Sequence, residues 1–210
     1  MIDLLVATTN QGKFAEIQTF LKRLPLRILS LRDLANPPAV VEDGTSFAAN
    51  ALKKARTLAQ FSGLLTLADD SGIEVDALGG APGIFSARYG GAEGSDEANN
   101  EKLLRELANV PEEKRTGRFV CVLALCAPDA AGLKEWTVRE SCEGRISLTL
   151  KGANGFGYDP LFFYPPFGKT FGEIAGETKA TVSHRGKALR KLAEMMPKWV
   201  DLPVEMPLQP

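Results

Sequence analysis

The chain has 210 residues, 44% hydrophobic and 24% charged, and a formal net charge of -1. This is the composition of a soluble globular protein, long enough for one large domain or one domain with two lobes. It exerts no overall pull on nucleic acid or an anionic membrane, so an anionic ligand must be held by a local cluster of cations.

The N-terminal IDLLVAT predicts a buried first strand, with no charged leader or cleavage site before it. From Phe14 the pattern turns helical, with Phe14, Ile17, Leu21 and Leu24 on one face and Pro25 ending it. LRILSL predicts a second strand, and ANPPAVVEDG an extended or looped segment. A second helix is expected from Ser46 to Phe61, capped by Thr45 or Ser46 and striped by Phe47, Ala51, Ala55 and Leu58. LLTLAD and IEVDAL predict two short strands separated by Asp-Asp-Ser-Gly, which is ordinarily a turn signal.

Ser95 is placed to cap a third helix, with Asp96 and Glu97 in its first turn, where the helix dipole favours acids. GRFVCVLALCA and KEWTVRESCEGRISLTL predict long neighbouring strands joined by a turn near 129–132. A last helix begins near Ser183 and presents Ala188, Leu189, Leu192 and Met196 on one face. The segment after Pro197 is expected to be weakly ordered. The pattern predicts an α/β protein with a long mixed central sheet flanked by helices and two lobes with a cleft between them. The domain spans 1–197, and 198–210 form a tail.

Cys121, Cys126 and Cys142 lack metal-site spacing, and their odd number suits a reduced cytoplasm. No apolar run is long enough to cross a bilayer.

Four segments carry chemistry. Thr8, Thr9, Asn10, Gln11, Gly12 and Lys13 lie where the first strand meets the first helix, and free backbone N–H groups there suit an anion. The stretch is not a P-loop, because Phe14 stands where a magnesium-holding Ser or Thr is required. A plain helix cap is the competing reading. Asp69 and Asp70 precede Ser71 and a loop rich in Gly, Ala and Pro. Carboxylates at the mouth of a strand can hold a divalent metal and accept a proton.

Glu42 reads alone as a solvated loop acid, and Lys54 as a helix lysine off the apolar stripe. GANGFGYDP, with Phe156, Gly157, Tyr158 and Asp159, can lay an aromatic face on a base. Lys179, His184 and Arg185 set cationic groups beside a helix start. A surface position is the plain reading of His184.

In this order TTNQGK, ADDSG…GGAPGIFSARYGG, GFGYDPLFF and SHRGKAL resemble the inosine/xanthosine triphosphate pyrophosphatase family, over nearly the whole chain. Thr9 departs from the family's usual glycine. The resemblance implies hydrolysis of ITP, dITP and XTP to the monophosphate and pyrophosphate. It implies Asp70 as general base and magnesium ligand, and Glu42 as second ligand, with one or more ions and manganese as the alternative. Residues 8–13, Lys54 and Ser71 would hold the triphosphate. Phe156, Gly157, Tyr158, Asp159, Lys179, His184 and Arg185 would form the base pocket. The expected partner is a purine nucleoside triphosphate, with no nucleic acid and no membrane, in a homodimer.

Hypoxanthine and xanthine present a 6-oxo acceptor where adenine presents a donor, so donation from backbone N–H groups or Arg185 would reject ATP. The alternatives are a Maf-type pyrophosphatase for modified nucleotides and a nucleotide-binding module without turnover. RNA binding is disfavoured by the absence of a basic stripe.

Overall fold

In the computed structural model, which describes residues 1–91 and 94–200, seven strands form one sheet in the order β2-β1-β3-β4-β5-β6-β7. They are β1 Ile2–Ala7, β2 Leu26–Ser30, β3 Leu65–Val75, β4 Thr116–Asp129, β5 Gly132–Ile146, β6 Phe162–Tyr164 and β7 Lys169–Thr170. The helices are α1 Gln11–Leu21, α2 Phe47–Ser62, α3 Asp96–Glu106, α4 Gly176–Val182 and α5 His184–Trp199. β1 runs parallel to both β2 and β3, whereas β6 is antiparallel to both β5 and β7. The sheet is therefore mixed, as the alternation of elements predicts.

The chain divides into two compact units. The first comprises Met1–Asp70, Val122–Arg139 and the residues from Ala188. Leu4, Leu5, Val6, Ile17, Leu21, Leu67 and Leu123 are buried there. In α2, Ala51, Ala55 and Ala59 are fully buried one turn apart. Their small side chains leave room for a helix backbone to approach its neighbours closely. Ser46 Oγ accepts the Ala49 N–H at 3.1 Å and caps this helix, satisfying one of its orphan donors.

The second unit comprises Ser71–Cys121 and Glu140–Lys187. Its core holds Ile73, Leu103, Phe119, Phe162 and Phe171. Phe119 and Phe162 rings meet at 4.5 Å, and Phe162 and Phe171 rings at 4.9 Å.

Four local expectations need correction. The helix expected from Phe14 begins at Gln11, because Asn10 caps it: Asn10 Oδ1 accepts the Lys13 N–H at 2.9 Å. The two short strands expected around Asp-Asp-Ser-Gly are one eleven-residue strand, β3. Sheet pairing overrides local turn preference there. α4 is an additional helix that periodicity does not reveal, since its seven residues lack a side-chain cap and it buries Lys179. Pro197 does not end α5, which continues to Trp199. Trp199 stacks on Trp136 at 5.5 Å and holds the final turn. Of the expected tail, residues 201–210 lie outside the described residues.

Candidate active site

The order of the first three strands dictates where a ligand can sit. The chain steps from β1 outward to β2 through α1, then returns past β1 to β3 through α2. All three strands are parallel. Right-handed crossovers in opposite directions put α1 and α2 on opposite faces of the sheet. The carboxyl end of β1 is thus a topological switch point, where open α/β sheets bind ligands. Residues Thr8 to Lys13 leave the sheet there. Thr8 Oγ1 accepts the Asn10 N–H at 3.2 Å. Gln11, Gly12 and Lys13 form the first turn of α1. A cavity of about 410 Å³ opens on this loop, with Thr8, Thr9, Gln11 and Arg32 in its wall.

β3 brings acids to the same place. Ala68 pairs with Ala7, the last residue of β1, so Asp69 and Asp70 follow at the carboxyl end of that ladder. Successive strand side chains point to opposite faces. Each acid accordingly meets a lysine from a different helix. Asp69 is buried, and its Oδ1 lies 2.6 Å from Lys13 Nζ of α1. Asp70 is buried, and its Oδ1 lies 3.4 Å from Lys54 Nζ of α2. Lys54 also donates to Glu42 Oε1 at 3.0 Å and to the Asp69 carbonyl at 2.8 Å. Its ammonium therefore gathers Glu42 and Asp70 round one point, and its side chain is only 11% exposed.

Burial pushes the Asp70 carboxyl up to about 6, opposed by the charges of Lys54 and Lys13 and reinforced by Glu42 and Asp69. Asp70 Oδ2 is buried without a hydrogen-bond partner. An orphan carboxylate oxygen in such a place is costly unless something binds it. With all groups ionised, Glu42, Asp69 and Asp70 outnumber Lys13 and Lys54 by one negative charge. A polyphosphate entering this cluster requires an added cation. Among the described residues no group of three or more His, Cys, Asp or Glu side chains could hold a metal. Two carboxylate oxygen donors, with substrate phosphates and water completing the shell, are the pattern that suits magnesium. The residues fit that ion.

The second unit gathers the other group of predicted residues. Ser71 follows Asp70 on β3, and its hydroxyl accepts from Arg185 Nη2 at 2.8 Å. Arg185 is fully buried rather than spread on the surface, with its guanidinium 5.6 Å from the Phe156 ring centre. Lys179 Nζ lies 5.1 Å from the same ring and 2.6 Å from Asp159 Oδ2. Asp159 is buried and also accepts the Phe156 N–H at 2.9 Å, so it is both the turn former and the counter-ion. Phe156 is thus flanked by two cations, which suits an aromatic face that receives a base.

His184 is not at the surface: it is buried and stacks on Phe119 at 4.6 Å. Tyr158 is also buried, and its hydroxyl donates to the Ser86 carbonyl at 2.8 Å, tying FGYDP to the GIFSAR segment. Ser86 in turn presses on β3. A Cβ at Gly72 would lie 2.3 Å from Ser86 Oγ, so the close approach requires glycine. Gly157 lies in the left-handed region at φ +61°.

Asp69, which the sequence pairs with Asp70 as a carboxylate able to hold a metal or accept a proton, is the buried partner of Lys13. Nothing in the sequence marks Ser86, Asp96 and Asn100 as the residues that fix the loops. Only the adjacency of two acids after an apolar run marked Asp69.

Fold and site together define a mixed α/β protein whose switch point carries an acid–lysine centre suited to an anionic substrate. A profile of the Ham1 family matches residues 4–195. A dITP/XTP pyrophosphatase of Syntrophobacter fumaroxidans is 52% identical over 200 residues, 94% of this chain and 84% of that protein. Another, of Geobacter sulfurreducens, is 52% identical over 194 residues, 92% of this chain and 96% of that one. The solved structure of a HAM1 protein from Coxiella burnetii superposes with a TM-score of 0.85 at 35% identity, covering 94% of this chain and all of that one. This chain belongs to the Ham1 family.

Proposed function

We propose that the protein hydrolyses the non-standard purine nucleoside triphosphates dITP, XTP and ITP to the monophosphate and pyrophosphate, clearing them from the nucleotide pool. The observation that carries this reading is the buried Asp70 carboxylate, with its orphan oxygen, inside the Lys13–Lys54–Glu42–Asp69 cluster. The Ham1 kinship supports it.

Asp70 accepts the proton of a water that attacks the α-phosphorus. The bond from that phosphorus to the bridging oxygen breaks, and pyrophosphate leaves. A carboxyl near 6 is ionised at pH 7–8 and more basic than an exposed aspartate. Lys13 and Lys54 offset charge on the leaving group. Glu42 and Asp70 would hold magnesium, or manganese in its place, which when bound neutralises phosphate oxygens and acidifies water. The N–H groups opening α1 and the hydroxyls of Thr8 and Thr9 cradle the phosphates. Phe156 receives the base, and Arg185 donates towards a 6-oxo group, so adenine leaves buried donors facing donors.

Three further elements belong to this reading. The protein acts as a homodimer, which sedimentation would check. It binds neither nucleic acid nor membrane, and no described helix is long and apolar enough to cross a bilayer. It works in the cytoplasm, where thiols such as the buried Cys121, Cys126 and Cys142 are kept reduced.

The test is pyrophosphate release from dITP, XTP, ITP, GTP, ATP and dTTP with magnesium. Fast release from the first three alone is expected. Turnover of none would remove the catalytic reading, and equal turnover of all six would remove the base pocket. Metal binding has its own readout: magnesium should raise the melting temperature of the wild type more than that of Glu42→Gln.

A further inference from the structure

The peptide of Gly157 is gripped at both ends by one helix. Its N–H donates to Asp96 Oδ2 at 2.6 Å, and its carbonyl accepts from Asn100 Nδ2 at 2.9 Å. Asp96 and Asn100 stand four residues apart and share a face of α3. Asn100 is buried and its Oδ1 has no hydrogen-bond partner. Gly157 sits at φ +61°, between Phe156 and the Tyr158–Asp159 pair.

The neighbouring residue grips a second loop in the same way. Asn99, also buried, accepts the Gly90 N–H at 2.6 Å and donates to the Ala87 carbonyl at 3.2 Å. A Cβ on Gly90 would lie 2.4 Å from the Ala98 backbone. α3 therefore brackets both glycine-rich loops, and Tyr158 bonds one to the other through the Ser86 carbonyl.

We propose that Asp96 and Asn100 are positioning residues for nucleobase selection. Resting on the purine triphosphate reading above, the proposal adds residues that touch no substrate. A left-handed glycine has two soft dihedrals, and a single anchor would let its peptide rotate. Anchoring both the N–H and the C=O fixes that rotation. It thereby sets the plane of Phe156 and the direction of the Asp159 carboxylate that holds Lys179. Base recognition depends on donors and acceptors placed to within a fraction of an ångström, whereas the phosphate-handling acids and lysines lie on other elements.

The decisive variants are Asn100→Asp, which puts an acceptor against the Gly157 carbonyl at unchanged volume, and Asp96→Ala, at an exposed position. Asp96→Asn keeps an acceptor oxygen and serves as the conservative rescue. Steady-state kinetics are measured on ITP, dITP and GTP with magnesium. Asn100→Asp should raise KM for ITP about tenfold or more, as expected when a buried polar contact is lost. It should leave kcat within about threefold and reduce the preference for ITP over GTP. Asp96→Ala should move the same parameters by less, and Asp96→Asn should restore most of them. If Asn100→Asp does not fold, the Asp96 pair decides by the same criteria.

An unchanged ITP-to-GTP ratio would overturn the positioning role while leaving the purine reading intact. So would equal losses of kcat/KM on every nucleotide. A wild type inactive on all purine triphosphates would overturn both.

Discussion

Exchanging Asp70 for asparagine removes a charge and keeps a shape. Desolvation lifts this carboxyl from 3.8 to about 6 despite the opposing charges of Lys54 and Lys13. An acid whose folded pKa lies above its unfolded value holds its proton more tightly when folded, so ionising it opposes folding. The cost is absent below about pH 3.8, grows between 3.8 and about 6, and is complete above that. At about 1.36 kcal/mol per pKa unit, the full cost is about 3 kcal/mol. For a chain of this size each kcal/mol moves the melting temperature by about 2–4 °C. Asp70→Asn should therefore melt on the order of 6–12 °C above the wild type at pH 8 with chelator present. The gap should narrow as pH falls below 6. Its pyrophosphate release should fall at least about 10²-fold, the loss typical of a missing general base. Thermal melts from pH 5 to 8, run beside the activity assay, check both halves. A variant no more stable than the wild type at pH 8, or a gap that widens towards acid, would refute the reasoning.

On the proposed mechanism the same group sets the acid limb of the wild-type rate: kcat/KM should rise with pH and level off no higher than about pH 6, since a cation beside Asp70 favours its charged form. Lys179→Met strands the buried Asp159 carboxylate and should cost about 3–5 kcal/mol by denaturant unfolding, with Lys179→Met/Asp159→Asn recovering part of it. Gly72→Ala drives a methyl into Ser86 and the Gly83 carbonyl and should destabilise by about 1–3 kcal/mol, read as a lower urea midpoint. Ser46→Ala removes the cap of α2 and should cost about 1 kcal/mol without changing KM.

The periodic and capped elements were legible in the sequence. Ser46 and Ser95 mark the starts of α2 and α3, and TTNQGK marks the strand-to-helix loop at the switch point. Asp-Asp-Ser-Gly was not legible as strand, because its residues favour turns when read locally, whereas β3 runs on through them in its place between β1 and β4. Burial of His184 and Arg185 was equally hidden. Both are polar types beside a helix start, and the rings they pack on, Phe119 and Phe156, are distant in sequence. Lys54 looked like a solvated lysine because it lies off the apolar stripe of α2. Of its partners, Asp70 is brought to it only by the return of the chain through β3, and Glu42 by the loop that precedes α2.

Which of two identical acids meets which lysine is settled by counting. Four consecutive pairs, Leu4 with Leu65 through Ala7 with Ala68, lock the phase of β3 just before Asp69. Were one residue deleted from Leu65–Ala68, odd and even positions would exchange faces: Asp70 would take the place of Asp69 against Lys13, and Ser71 the place of Asp70 against Lys54. The ladder of β3 thus acts as the reading frame of the acid–lysine centre, and residues outside that centre decide which carboxylate meets which lysine.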